Sequence, residues 1–299
     1  MATRVAATAP VRSAANARTR VRSERARLWT TFVRNRAAVV GLVLALLIAT
    51  AAVGAPLLAP HDPLDQQAIN RMKPPDGAYL MGRDTFGRDI FARVLFAGRI
   101  SLAIGIGAVL LGGAFGSLLG LVAGLSGGRM ENLIMRGVDV LMAFPSLLLG
   151  LVVLTMLGPG LDRMVLAIGL LLSPPFARIV HGSTLTLKHQ EFVQAARSVG
   201  AGYARILARH ILPNVLGEVV VLASLWTASA IRVEASLSFI GLGVAPPTPT
   251  WGNMIREGLP FLANAPWLSV FPGLAILLTV LAFNLLGDGL RDVFDPRSQ

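Results

Sequence analysis

Four stretches of the chain carry no charged residue: 37–60, 100–128, 140–161 and 258–287. A membrane-spanning helix needs about 20 apolar residues, so each stretch predicts one. Two further stretches are apolar in the middle and charged towards the ends. Residues 164–180 hold a Pro pair and Arg178, and residues 215–234 carry Glu218 near one end and Arg232 and Glu234 near the other. Charges near the ends of a span reach the interface. The pattern therefore predicts an all-α integral membrane protein with six transmembrane helices.

Residues 181–214 break the pattern. Phe192, Ala195, Ala196 and Val199 recur at i, i+3, i+4 and i+7, one face of a helix, with Glu191, Gln194, Arg197 and Ser198 on the other. Gly200 and Gly202 end this run, and Gly tolerates the backbone angles that turn a chain. Tyr203, Ile206, Leu207 and His210 then share a second face, opposite Arg205 and Arg209, before Pro213 interrupts it. The segment reads as helix, Gly turn, helix, Pro. The small residues Ala195, Ala196 and Gly200 admit close approach of another backbone, with Gly200 in a close-packed turn. Two destinations fit, a headgroup surface or a groove on a protein partner. Phe192 is the one large side chain on the first face, which leaves little area for lipid and favours the partner.

Composition agrees with a membrane class. The chain is 54% hydrophobic and 14% charged, against roughly 25% charged in soluble domains. It has no cysteine, hence no disulfide and no thiol chemistry. The net charge of +11 is unevenly placed, because residues 1–36 hold nine Arg and one Glu. That segment lacks aromatic periodicity and abuts a span, so it predicts a disordered cytoplasmic tail and no nucleic-acid partner. It is long for the lead of a signal peptide, so the first helix is expected to stay uncleaved. Both termini then face the cytoplasm, 60–97 and 237–266 face outward, and 181–214 faces inward. Lys188, Arg197, Arg205 and Arg209 against Glu191 make this segment basic, as an inside location requires. The expected layout is a tail over 1–36, a first span over 37–60, an extracytoplasmic loop over 61–97, a five-helix core over 98–290 and a tail over 291–299.

The segment "QAARSVG" followed ten residues later by "HILP" resembles the Glu-Ala-Ala loop of ATP-binding-cassette importer permeases. Ala195, Ala196, Gly200, Leu212 and Pro213 fall at matching positions, while Gln194 stands for the Glu and His210 for the usual Ile. "MGRDTFGRDIFARVLFAGRISL" at 81–102 is similar to a signature of the dipeptide, oligopeptide and nickel permeases. Gly82, Asp84, Gly87, Arg88, Asp89 and Arg93 match, with Arg83 in place of Thr and Ala92 in place of Ser. "FPSLLL" at 144–149, "EASLSFIGLG" at 234–243, "PPTPTWGNMI" at 246–255 and "GDGLRDVFDPR" at 287–297 look like the same branch. The extra first helix behind "RNRAAVVGL" resembles the second permease of such systems. The likeness implies a type I importer permease fold in the bacterial cytoplasmic membrane. It implies a homologous permease, two ATPase subunits and an extracytoplasmic binding protein as partners, besides lipid. ATP and Mg would be held by the ATPases, and no cofactor by this chain. It also implies that Glu191, Gln194, Ala195, Ala196, Arg197, Gly200, Tyr203, Leu212 and Pro213 couple to an ATPase. The substrate class implied is peptides, with nickel chelates or other small solutes close behind.

Chemistry within the chain is not indicated. A P-loop needs Gly-Lys-Ser or Gly-Lys-Thr, and Lys73 and Lys188 follow Met72 and Leu187. "LSGG" at 125–128 closes an uncharged span and reads as a turn. His61, His181, His189 and His210 form no metal-ligand spacing. Arg136 and Asp139 are expected to pair locally, and Arg232 and Glu234 to lie at the interface. A proton- or ion-coupled transporter would want ionisable groups near the midplane, which the clear spans almost lack. A membrane enzyme would need clustered catalytic groups.

Overall fold

The computed structural model describes Thr30 and residues 32–294, and most of the predicted tails, over 1–29 and 295–299, lies outside them. Among the described residues the regular structure is helical, apart from one isolated bridge between Arg83 and Asp89. The helices that matter below are α1 (Arg36–Val53), α2 (Ile90–Ser126), α3 (Gly128–Met142), α4 (Ser146–Leu157) and α5 (Leu161–Leu187), followed by α6 (Glu191–Ser198), α7 (Tyr203–Ile240), α8 (Trp251–Gly258) and α9 (Trp267–Phe294). Five of them, α1, α2, α5, α7 and α9, are long and apolar enough to cross a membrane. The bent pair α3 and α4 passes the same test jointly and makes a sixth where the pair counts as one broken span.

Several boundaries differ from the hydropathy pattern. The loop expected over 61–97 ends at Asp89, because Asp89 Oδ1 accepts the Phe91 N–H and caps α2. The stretch 140–161 is not one straight span: α3 and α4 meet at 94° across residues 143–145, where Pro145 stops helix propagation. α5 runs through Pro174 and Pro175 without ending. The missing N–H of Pro174 frees the Leu170 carbonyl, and Ser173 Oγ–H donates to it at 2.9 Å. Pro213 does not break the chain either. Residues 207–211 form a π-helical turn that absorbs it, and one helix continues from Tyr203 to Ile240.

α2 is the axis of the bundle. Gly112, Gly116, Gly120 and Gly124 recur every fourth residue on the side facing α5. A Cβ at Gly116 would lie 2.1 Å from the Ser173 carbonyl oxygen, and one at Gly120 would lie 2.4 Å from that of Ala177. Only glycine allows this approach, the small-residue packing that suits helices in lipid. Three apolar clusters stack along α2. One near its N-terminus holds Ile90, Trp251 and Leu268, a central one Ile104, Ile168 and Leu237, and one near its C-terminus Leu121, Val180, Val193 and Val215.

Candidate functional site

The cluster near the C-terminus of α2 is where the 181–214 segment meets the bundle. α6 buries Val193 in a cluster with Leu121, Leu125 and Ile211, and Ala196 is buried as well. Three polar contacts fasten the segment to the end of α2. Lys188 Nζ donates to the Gly124 carbonyl at 2.9 Å. Tyr203 Oη lies 3.1 Å from the Val122 carbonyl oxygen, to which it donates, and 2.8 Å from Ser126 Oγ. Gln194 turns back on its own segment, its Nε2 donating to the His189 carbonyl at 3.1 Å.

The predicted faces are therefore divided differently. Val193, absent from the predicted apolar face, is fully buried, whereas Phe192 is 43% and Val199 85% exposed. Glu191, Gln194, Ala195, Arg197, Gly200 and Pro213 are exposed as well. Tyr203, itself 46% exposed, and the half-buried Leu212 also hold the segment to the bundle. Gly200 has φ +80° and ends α6, with the Ala201 N–H on the Ala196 carbonyl at 3.0 Å. Nothing lies within 4 Å of a Cβ built there, so its turn is open and not close-packed. The glycine answers to backbone angle, not to space.

The signature residues of the loop before α2 form a charge cluster. Arg88 Nε donates to Asp84 Oδ2 at 2.6 Å, and Arg93 Nε lies 3.4 Å from the same oxygen. Asp84 Oδ1 accepts the N–H groups of Phe86 and Arg88. The missing partner is Glu257 of α8: Arg88 Nη2 and Arg93 Nη2 each donate to its Oε2 at 3.1 Å. Arg93 is 1% exposed, and burial of a guanidinium demands such paired anions. Asp89 pairs with His61 at 2.9 Å, the His61 ring stacks on Tyr79 at 4.3 Å, and the Arg83 guanidinium sits 3.5 Å above the Tyr79 ring. Gly82 and Gly87 take φ of +75° and +80° to fold the loop this tightly. Nearby, the N–H groups of Tyr79 and Ala78 hold the Asp76 carboxyl below its ordinary pKa. Their help to the turn is complete above the ordinary carboxylate pKa and fades as pH falls through the lowered value.

Other charges also find partners that spacing did not indicate. Asp139 pairs with Arg178 across α3 and α5, not with Arg136. His181 pairs with Glu131 at 2.8 Å, and Ser183 donates to Glu218. Glu234 is completely buried among the helices, while Arg232 is exposed and donates to Ser229 Oγ. Among the described residues no group of three or more His, Asp and Glu gathers that could hold a metal ion. The arrangement is one of clamps and contact surfaces. Glu257 was missed because its charge partners lie 169 and 164 positions away. The Gly ladder of α2 was legible as a repeated G-x-x-x-G.

Two families of known proteins match the chain. Residues 116–299 match "Binding-protein-dependent transport system inner membrane component", and residues 23–75 match "N-terminal TM domain of oligopeptide transport permease C". The chain is 44% identical over 278 residues to the glutathione transport system permease protein GsiD of Pectobacterium atrosepticum, covering 93% of this chain and 92% of that one. It is 42% identical over 275 residues to the di/tripeptide transport system permease protein DppC of Pseudomonas aeruginosa, covering 90% and 91%. The dipeptide transport system permease protein DppC of Haemophilus influenzae is 40% identical over 275 residues, covering 90% and 93%.

Proposed function

The chain belongs to the binding-protein-dependent transport system inner membrane components, and from that membership we propose that it is one of two permeases in an ATP-driven importer of short peptides, glutathione among them. It has the type I importer permease fold and is a multi-pass inner membrane protein. The rest of the assembly is a homologous permease, two ATPase subunits that hold and hydrolyse ATP with Mg, and an extracytoplasmic binding protein. Both termini and α6 face the cytoplasm, and the Asp84–Arg88–Arg93–Glu257 cluster faces outward.

One observation carries the coupling reading. α6 presents Phe192, Ala195 and Val199 to solvent while Val193, Lys188 and Tyr203 fix it to α2. An exposed apolar ridge on a rigidly held helix suits a groove on a partner, and the clamp passes displacement of that partner into the bundle. No bond is made or broken in this chain. ATP-driven closure of the ATPases moves α6, and the two permeases alternate between outward and inward access.

The test is to isolate the tagged chain from its native membrane and then reconstitute it with its partners and binding protein. ATPase chains should accompany it, and uptake of labelled di- and tripeptides or glutathione should require ATP. Phe192→Asp with Val199→Asp should keep the chain in the membrane while losing the ATPases. Isolation without any ATPase, with uptake that survives ATP depletion, overturns the reading.

A further inference from the structure

Arg232 is a cation without a carboxylate. It is exposed on α7, and none of the ion pairs among the described residues includes it. Its depth follows from close contacts between the spans. α1 has 18 residues, about 27 Å of helix, so it just crosses a hydrocarbon core of about 30 Å. One end of α1 packs on α9, where a Cβ at Gly289 would lie 2.1 Å from Ala38 Cβ. The other end packs on α2, where a Cβ at Gly98 would lie 3.3 Å from Ala52 Cβ. These contacts mark the two levels of the span. On α7, Leu225 is near the first level, because a Cβ at Gly287 of α9 would lie 2.5 Å from Leu225 Cδ2. Ile231 is level with Gly105 of α2, a Cβ at which would lie 2.7 Å from Ile231 Cγ1. Gly105 is about 10 Å along α2 from Gly98, and Arg232 is about 10 Å along α7 from Leu225. Arg232 therefore stands deep between the two levels.

A guanidinium at that depth does not face acyl chains; a lipid-facing one stretches along its helix to an interface. Arg232 does not stretch. Its Nη2 donates to Ser229 Oγ at 2.9 Å, one turn back on α7, and its other N–H groups have no partner among the described residues. Ser236, whose Oγ–H donates to the Arg232 carbonyl at 2.9 Å, continues the same face at i, i+3 and i+7. Beside this polar stripe, Trp226, Ser229 and Val233 line a cavity of about 190 Å³ together with Phe144 at the α3–α4 bend and Leu149 of α4.

We propose that Arg232, with Ser229 beside it, is a carboxylate-binding site on the wall of the aqueous path that the solute crosses. A guanidinium offers a carboxylate two parallel N–H donors, and a short peptide or glutathione presents such a group at its C-terminus. The assignment deepens the permease reading above and rests on it. A carboxylate on a neighbouring chain is the other source of the same chemistry, and the test separates the two.

The chain has no cysteine, so Arg232→Cys places a single thiol at this position. In the reconstituted complex, small water-soluble thiosulfonates should modify it in the nucleotide-free state, the nucleotide-trapped state or both. No modification in either state means that lipid or a neighbouring chain covers the position, and overturns the proposal. Aminoethyl thiosulfonate, which restores a cation, should recover uptake of alanyl-alanine, and hydroxyethyl thiosulfonate should not; equal recovery with both overturns it. Uptake of alanyl-alanine is then compared with uptake of its C-terminal amide, each loaded to saturation on the binding protein. Arg232→Gln should lower uptake of the acid about tenfold, leave the amide unchanged and retain the ATPase chains, while Arg232→Lys keeps most of the acid uptake. Equal losses for acid and amide point to a carboxylate on a neighbouring chain and overturn the proposal, as does no loss for either. If Arg232→Gln fails to assemble, Ser229→Ala decides: a lowered acid-to-amide ratio supports the site, an unchanged one overturns it. A wild-type complex that transports neither peptide defeats the permease reading, while modification of Arg232→Cys still decides whether the position faces water.

Discussion

Gly87 and Gly200 share a φ of +80°, yet their surroundings separate what a substitution does. A Cβ at Gly87 would lie 2.1 Å from the Gln67 carbonyl oxygen, whereas one at Gly200 meets nothing within 4 Å. Gly200→Ala therefore carries the left-handed backbone cost alone, about 1 kcal/mol. It should appear as a small loss of hydrogen-exchange protection at 196–201, smaller for Gly200→Asn. Gly87→Ala adds a backbone collision, and its complex should melt well below the Gly200 variants in a thermal scan. Glu257 sets a third case. Glu257→Ala strands Arg88 and Arg93 among apolar neighbours, with Asp84 as the remaining anion. Breaking such a pair costs about 3 kcal/mol, which a drop in melting temperature would report. Glu257→Gln, still an acceptor, should lose less.

At the scale of elements, α6 separates holding from docking. Its two apolar neighbours Phe192 and Val193 point about 100° apart around the helix, the first 43% exposed and the second fully buried. Val193→Ala opens a gap in the cluster near the C-terminus of α2 worth about 2 kcal/mol. Exchange over 190–200 should then rise in the isolated chain, before any partner is present. Phe192→Ser should leave exchange unchanged and lower only the recovery of the ATPase chains. If both variants lose the partner equally with no change in exchange, the division between the two faces is wrong. The periodicity of 191–199 correctly announced a short amphipathic helix. It placed Ala196 correctly but missed Val193, because an eight-residue helix offers only two turns and the cluster near the C-terminus of α2 selected Val193.

For the whole molecule, orientation is the open quantity with the most direct readout. Single cysteines at Gly77 and Val199 both stand in exposed positions on opposite ends of the bundle. In intact cells an impermeant thiol reagent should label the first and spare the second until the membrane is opened. Labelling of Val199→Cys from outside would reverse the topology and remove α6 from the ATPases. The span count was legible because burying about 20 uncharged residues in lipid is a local sum along the chain. The bend between α3 and α4 was not, since the hydropathy of 140–161 is the same whether the helix turns at Pro145 or runs straight. The signature residues Asp84, Arg88 and Arg93 were visible as a motif, but not the carboxylate that completes their cluster.

Hydropathy and charge thus suffice for the class and the candidate spans, and short sequence motifs for the family resemblance. Each is a property of neighbours in the chain, where transfer free energies add residue by residue. Pairings of distant charges obey no such sum. Arg93 and Glu257 meet across 164 positions, and Glu234 is buried because α2, α7 and α8 converge on it. Desolvation depends on what surrounds a group in space, so a carboxyl group that reads as interfacial along the chain becomes, once the helices pack, the most enclosed acidic side chain among the described residues.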